Sequence, residues 1–225
     1  MAILNFPPIE QADENGLLAI GGDLDIESLL KAYQNGIFPW PISEDFPLAW
    51  FAPNPRGVID FNEFHLPRSF KKFLNKTDMT VEFNQNFENV IINCSLASRK
   101  DQAGTWITDE IIESYINLHK AGYAYSVETY HFKDGVKRMV GGLYGTCISQ
   151  FFSGESMYHI EDNASKLALY TLIEKLKSMG VNWLDTQMVT PVVQAMGGKE
   201  IDRSEFMQRL SKTNIDSFLV PSIKS

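Results

Sequence analysis

Residues 124–187 read AYSVETYHFKDGVKRMVGGLYGTCISQFFSGESMYHIEDNASKLALYTLIEKLKSMGVNWLDTQ, and this stretch decides the class of the fold. AYSVETYHF (124–132) and VKRMVGGLYG (136–145) follow a period of two, and the Asp134-Gly135 pair between them is a hairpin-turn signal. TCISQFFSGESM (146–157) reads as a third strand. The period then changes to 3.6. Leu169, Leu172, Ile173 and Leu176 align on one helical face, with Asn163 as the expected N-cap and Gly180 as the terminator. VNWLDTQ (181–187) is a short buried strand, and Thr190 with Pro191 restarts a helix as N-cap and first residue. Strands in a meander followed by a helix and a further strand predict an α+β fold.

Working outward, Thr108 opens a helix that runs to about His119 and ends at Gly122, and Phe87, Val90, Ile91 and Cys94 mark another. A strand near 79–83, a helix near 69–74 and a strand at 58–61 precede them. The first firm helix spans Ile26 to Gln34, capped by Asp25, with Ile26, Leu29, Leu30 and Tyr33 on one face and Gly36 at its end. Between these parts, GIFPWPISEDFPLAWFAPNPRG (36–57) has neither a helical nor a strand period. Its X-Pro bonds favour extended backbone, and so long an irregular stretch often forms a binding surface. The expected organisation is a smaller N-terminal α+β domain over 1–84, packed without a flexible linker against a larger domain over 85–225.

The 225 residues are 44% hydrophobic and 21% charged, an ordinary balance for a soluble globular protein. No apolar stretch approaches the ~20 residues that a membrane-spanning helix needs. The start, MAILNFPPIEQADENG, lacks a basic segment followed by an apolar one, so no secretory signal is expected and the location is read as cytoplasmic. Cys94 and Cys147 lie in apolar patterns far from a CxxC spacing, which suits buried thiols in a reducing compartment. His65, His119, His131 and His159 show no metal-ligand spacing, so no metal site is expected. The net charge of −8 argues against non-specific binding to nucleic acid. Only a local basic patch can overturn that. Two segments offer one: Arg68, Lys71, Lys72 and Lys76 around a short helix, and Arg99 with Lys100.

Eight strings, GLLAIGGDL, LLKAYQNGIFPW, PNPRG, GTWIT, GGLYG, FFSGESM, NASK and LDTQ in this order, carry a resemblance that extends from Gly16 to Phe206. Together they resemble the leucyl/phenylalanyl-tRNA–protein transferase family. The resemblance implies a C-terminal domain of acyltransferase-like (GNAT-like) fold, similar to the acetyl-CoA-dependent N-acetyltransferases. It implies an aminoacyl-tRNA donor carrying Leu or Phe, with Met as a further possibility. The implied acceptor is a protein beginning with Arg or Lys, which the transfer marks for degradation. It brings no metal and no dissociable cofactor, and a monomer is expected. One segment departs from the pattern: in TPVVQAMGG, Val192 and Ala195 stand where the family usually has His and Ser.

The implied reaction is aminolysis of an already activated ester. It needs positioning, proton handling and oxyanion stabilisation rather than an enzyme nucleophile, and no GxSxG or Cys–His signature suggests one. Asp185 and Gln187, at i and i+2 of a strand, should project from the same face. The resemblance makes this pair catalytic: Asp185 orients Gln187, whose amide oxygen accepts a hydrogen bond from the attacking amine. An amide oxygen is too weakly basic to keep the proton, which leaves Asp185 or the departing ribose oxygen to take it. On residues alone the pair reads equally as a strand end bonding nearby backbone.

Glu155 alone reads as a solvated carboxylate; through the resemblance it forms, with Asp185, an acidic pocket for a cationic acceptor. Trp40 and Trp106 read as core anchors or, through the resemblance, as platforms for the unpaired bases of a tRNA 3′ end. Leu143, Phe152 and Leu172 are core residues by pattern and walls of an amino-acid pocket by resemblance. The glycines of VGGLYG suggest a bulge or close backbone approach. In an acyltransferase-like fold, a strand splayed there would free N–H groups for a carbonyl oxygen. Two rivals stay open. An acetyl-CoA-dependent acetyltransferase needs a Gly-rich loop where HIEDNASK stands, and a non-catalytic adaptor for basic N-termini has no use for Trp40 or Trp106.

Overall fold

The computed structural model describes residues 5–43, 46–97, 105–148 and 151–213. In chain order the elements are β1 (Leu17–Ile20), α1 (Ile26–Gln34), β2 (Phe38–Pro39), β3 (Ala49–Phe51), β4 (Arg56–Asp60), α2 (Arg68–Leu74), β5 (Thr80–Phe83), α3 (Phe87–Leu96) and α4 (Asp109–Lys120). There follow β6 (Ala124–Lys133), β7 (Val136–Ile148), β8 (Phe151–His159), α5 (Ala164–Ser178), β9 (Trp183–Gln187), α6 (Pro191–Ala195), β10 (Gly198–Ile201) and α7 (Arg203–Leu210). The α+β class is as expected.

Seven strands form one sheet in the order β10-β4-β9-β8-β7-β6-β5. Every pairing is antiparallel except β8 with β9, which is parallel. Parallel neighbours need a crossover, and α5 supplies it. Asp134 and Gly135 both have positive φ, 53° and 76°, which is the twist that a two-residue hairpin requires. Along β7 alternate residues serve two cores. Tyr144 and Ile148 pack with α1, α3 and α4, whereas Leu143 and Cys147 pack with α5. A sheet covered on both faces explains why β7 from Val140 onward is buried without interruption.

Several local signals held. Thr108 and Thr190 accept from the N–H groups of Ile111 and Val193, and Gly36, Gly122 and Gly180 end helices at positive φ. Other expectations are corrected. Asp25 and Asn163 make no capping bond with their side chains; Asn163 is left-handed and its Oδ1 takes Lys166 Nζ. The third strand begins at Phe151 rather than 146, because β7 pairs with β8 as far as Ile148. The Pro-rich stretch is not wholly irregular: β2 and β3 join β1 in a three-stranded sheet. Strands β4 and β5 both lie in the large sheet, with β4 between β10 and β9. The glycines of β7 are not a splayed site, since the strand is paired on both sides. They serve close packing instead: a Cβ on Gly141 would sit 2.6 Å from that of Ala164 in α5. The strands that part are β8 and β9, which pair only at Ser153 and Asp185.

Candidate active site

Where β8 and β9 diverge, a cleft of about 970 Å³ opens. Leu143, Phe152, Leu169, Leu172, Leu184 and Val193 give it an apolar lining. Trp40 and Trp106 also line it, their ring centroids 5.5 Å apart. Among its polar lining groups are Glu155 and Gln187. The residues singled out from the sequence as substrate-binding therefore meet in one cavity. Val192, from the departing segment, lines it as well, while Ala195 does not.

Asp185 does not line this cleft. It is wholly buried, and four donors fill its two oxygens. Arg56 gives Nε to Oδ1 at 2.8 Å and Nη2 to Oδ2 at 2.7 Å; Ser153 Oγ donates to Oδ2 at 2.7 Å; the Gln187 N–H donates to Oδ1 at 2.9 Å. Arg56 is itself buried, its guanidinium lying 4.7 Å from the ring centroid of Phe38 and 4.5 Å from that of Phe206. Its Nη1 donates to the Gly36 carbonyl. The expected link from Asp185 to the Gln187 side chain is corrected here. Asp185 holds the Gln187 main chain, and the Gln187 amide nitrogen donates to Glu155 Oε2 at 3.0 Å.

The expectation of a shared strand face fails at Gln187 for a backbone reason. Its φ is +61°, a left-handed conformation that costs a non-glycine residue ~1–3 kcal/mol, so the alternation of β9 ends there. Met188 N–H then bonds back to Thr186 O at 2.6 Å. Gly57 lies opposite Gln187, and a Cβ on it would sit 2.6 Å from the Met188 carbonyl carbon. PNPRG thus contributes two things to the site: Arg56 to neutralise Asp185, and a bare Gly57 to admit the turn.

Glu155 is half-buried and touches more than Gln187. Tyr33 Oη donates to its Oε1 at 2.7 Å, and Tyr33 Oη also bonds Tyr115 Oη. Each phenol has one proton. Since that of Tyr33 goes to Glu155, Tyr115 is the donor to Tyr33. Burial pushes the Glu155 carboxyl up to about 7, against the hydrogen bonds from Tyr33 and Gln187. Both phenols are held well above their ordinary value by burial and by the neighbouring carboxylate, so they remain donors.

Arg68, Lys71 and Lys72 are exposed on α2, and none forms an ion pair among the described residues. Lys76 is also exposed but lies beyond the end of α2. Arg99 and Lys100 fall outside the described residues. Sequence reasoning missed Arg56, Ser153, Tyr33 and Tyr115. The signal for Arg56 was a charge at the start of a largely apolar strand, which has to find a partner once that strand is covered.

Two family models account for most of the chain. The leucyl/phenylalanyl-tRNA protein transferase model matches residues 58–211, and the model of that family's N-terminal domain matches residues 22–54. The chain belongs to the leucyl/phenylalanyl-tRNA protein transferase family. It is accordingly an enzyme, a transferase. A leucyl/phenylalanyl-tRNA–protein transferase of Flavobacterium johnsoniae is 48% identical over 207 residues, covering 92% of this chain and 95% of its own. One from Colwellia psychrerythraea is 43% identical over 225 residues, covering 97% and 92%. One from Sulfurimonas denitrificans is 45% identical over 213 residues, covering 95% and 90%. Among solved structures, FemX superposes with a TM-score of 0.50 over 83% of this chain and 71% of its own, at 10% identity, a likeness of fold. The transferase family's two models meet at the turn into β4, so the main one contains the whole seven-stranded sheet except Arg56 and Gly57.

Proposed function

We propose that this chain transfers leucine or phenylalanine, with methionine as a further substrate, from aminoacyl-tRNA to the N-terminal α-amine of proteins that begin with Arg or Lys, creating a degradation signal. The observation that carries the reading is the composition of this cleft, in which an apolar lining, a tryptophan pair and an acidic–amide pair meet. An apolar amino-acid side chain needs the first, an unpaired 3′ adenine suits the second, and a cationic amine needs the third. The parallel β8–α5–β9 unit with parting strands supports an acyltransferase-like, GNAT-like description of the fold. The reaction belongs in the cytoplasm, where charged tRNA is found. The protein acts as a monomer in this reading.

In this reading Leu143, Phe152 and Leu172 hold the side chain being transferred, and Trp40 and Trp106 hold the terminal adenosine. The Gln187 amide nitrogen is committed to Glu155, so its oxygen is the atom that aligns the acceptor amine against the ester carbonyl. Asp185 acts one step back, fixing the Gln187 backbone. Glu155 receives the ammonium of the acceptor. Holding both substrates in attack geometry can supply ~7–11 kcal/mol of the barrier. Arg68, Lys71, Lys72, Lys76, Arg99 and Lys100 serve the tRNA phosphates.

The test is direct. The protein is incubated with radiolabelled Leu-tRNA and an Arg-initiated model protein, without ATP or acetyl-CoA. Acid-stable label on the acceptor is expected, and a requirement for acetyl-CoA would move the chain to another class of acyltransferase.

A further inference from the structure

Building on this transfer reading, we propose that Glu155 is the base that deprotonates the attacking amine, held in place for that task by the buried Tyr33–Tyr115 pair. The reaction starts from an ammonium and ends in an amide, so one proton must leave. The cleft offers few groups to take it. Asp185, the first candidate by sequence, has all four acceptor sites filled and is sealed behind Arg56 and Ser153. The Gln187 amide oxygen can align an amine but cannot keep a proton. The phenols of Tyr33 and Tyr115 stay protonated.

His159 and Asp162 also line the cleft, but His159 lies four residues further along β8. At ~3.3 Å per residue that is roughly 13 Å from Glu155, and Asp162 lies beyond it. Among the carboxylates and histidines of the described residues, Glu155 combines access to the cleft with direct contact to Gln187, at 3.0 Å.

Its surroundings suit the task. The charged or titratable groups facing it are Tyr33 from α1, Tyr115 from α4, Arg56 from β4 and Asp185 from β9, with Tyr144 of β7 lining the same cleft. Burial pushes the carboxyl up to about 7, close to the ~7.7–8.0 of an α-amine, and a base works best when the two are matched.

The protons then balance as follows. The Glu155 carboxylate takes one proton from the acceptor ammonium. The freed nitrogen lone pair forms the C–N bond, and the carbonyl π electrons move to oxygen. As the adduct collapses, the C–O bond to the ribose breaks and Glu155 gives its proton to the departing oxygen. The nitrogen, still carrying one proton too many, passes that proton to Glu155, which releases it to solvent. The sum is ammonium plus ester giving amide, alcohol and one free proton.

The experiment is a pH profile of kcat at saturating Arg-initiated acceptor, with Leu-tRNA as donor. Wild type should lose activity below a limb near pH 7. Tyr33→Phe removes a hydrogen bond to the ionised carboxylate, so the limb should move up by at least half a unit. Tyr115→Phe should move it the same way by less. Acceptors with different amine pKa values should leave the limb where it is. Glu155→Gln should lower kcat at least 100-fold with acceptor saturated. The proposal is overturned if Glu155→Gln raises only the acceptor KM, or if the limb ignores both tyrosine changes and follows the acceptor amine. If Glu155→Gln or Tyr33→Phe does not fold, the Tyr115→Phe limb decides alone. Absence of any transfer by wild type would instead sink the underlying reading of function.

Discussion

Arg56 and Asp185 form a two-pronged ion pair, at 2.8 and 2.7 Å, between strands whose partners are 129 residues apart in the chain. Both are almost fully buried, so each charge depends on the other. Removing one partner of such a pair costs ~3–5 kcal/mol, because the survivor is left buried and unpaired. Arg56→Met should therefore destabilise the protein by about that much in urea unfolding. Asp185→Asn leaves the buried Arg56 without a counter-charge and should cost about as much. The double variant Arg56→Met/Asp185→Leu should be far less destabilised than the sum of the two single changes to apolar residues. Additive losses would mean that the pair is not coupled as described.

Gln187 should separate chemistry from strain. Gln187→Ala and Gln187→Gly both remove the amide, and both should lower turnover at least tenfold, or ~1.4 kcal/mol of barrier, with donor affinity kept. Only glycine relieves the positive φ, so Gln187→Gly should be about 1 kcal/mol more stable than Gln187→Ala. Equal stability of the two variants would remove the strain argument.

The exposed cations of α2 bear on how a protein of net charge −8 holds tRNA. Lys71→Glu/Lys72→Glu should raise KM for full-length Leu-tRNA several-fold. The salt dependence of binding should drop by somewhat less than one log–log unit per lost phosphate contact. A minimal aminoacyl-adenosine donor, which has no acceptor stem, should react at wild-type rates. Equal damage with both donors would show that the patch supports the fold instead.

Glu155 also makes stability depend on pH. Its folded value of about 7 lies above the ordinary 4.5, so across that interval the folded state binds more protons than the unfolded state. Stability from this group is greatest below pH 4.5 and is lost as pH rises through 7. The melting temperature of Glu155→Gln relative to wild type should therefore rise between pH 5 and about 8 and then level off. A constant difference across that range would contradict the raised carboxyl.

The sequence by itself determined what depends on short-range physics. The Asp134-Gly135 hairpin, the helices ended at Gly36, Gly122 and Gly180, and the Thr108 and Thr190 caps are decided by residues a few positions apart. Eight strings in order also carried the family, and with it the cleft residues Trp40, Trp106, Leu143, Phe152, Glu155, Leu172 and Gln187. What only the tertiary structure decided is how the charges are partnered. Nothing local tells Asp185 that its partner is Arg56, or Glu155 that it will meet Tyr33, 122 residues earlier. Nor does a strand's period reveal that Gln187 leaves the alternation, since that turn is held by Asp185 and admitted by Gly57 on a neighbouring strand. A buried charge or a left-handed residue is stable only when distant chain segments supply its partners, and those meet only when the sheet assembles.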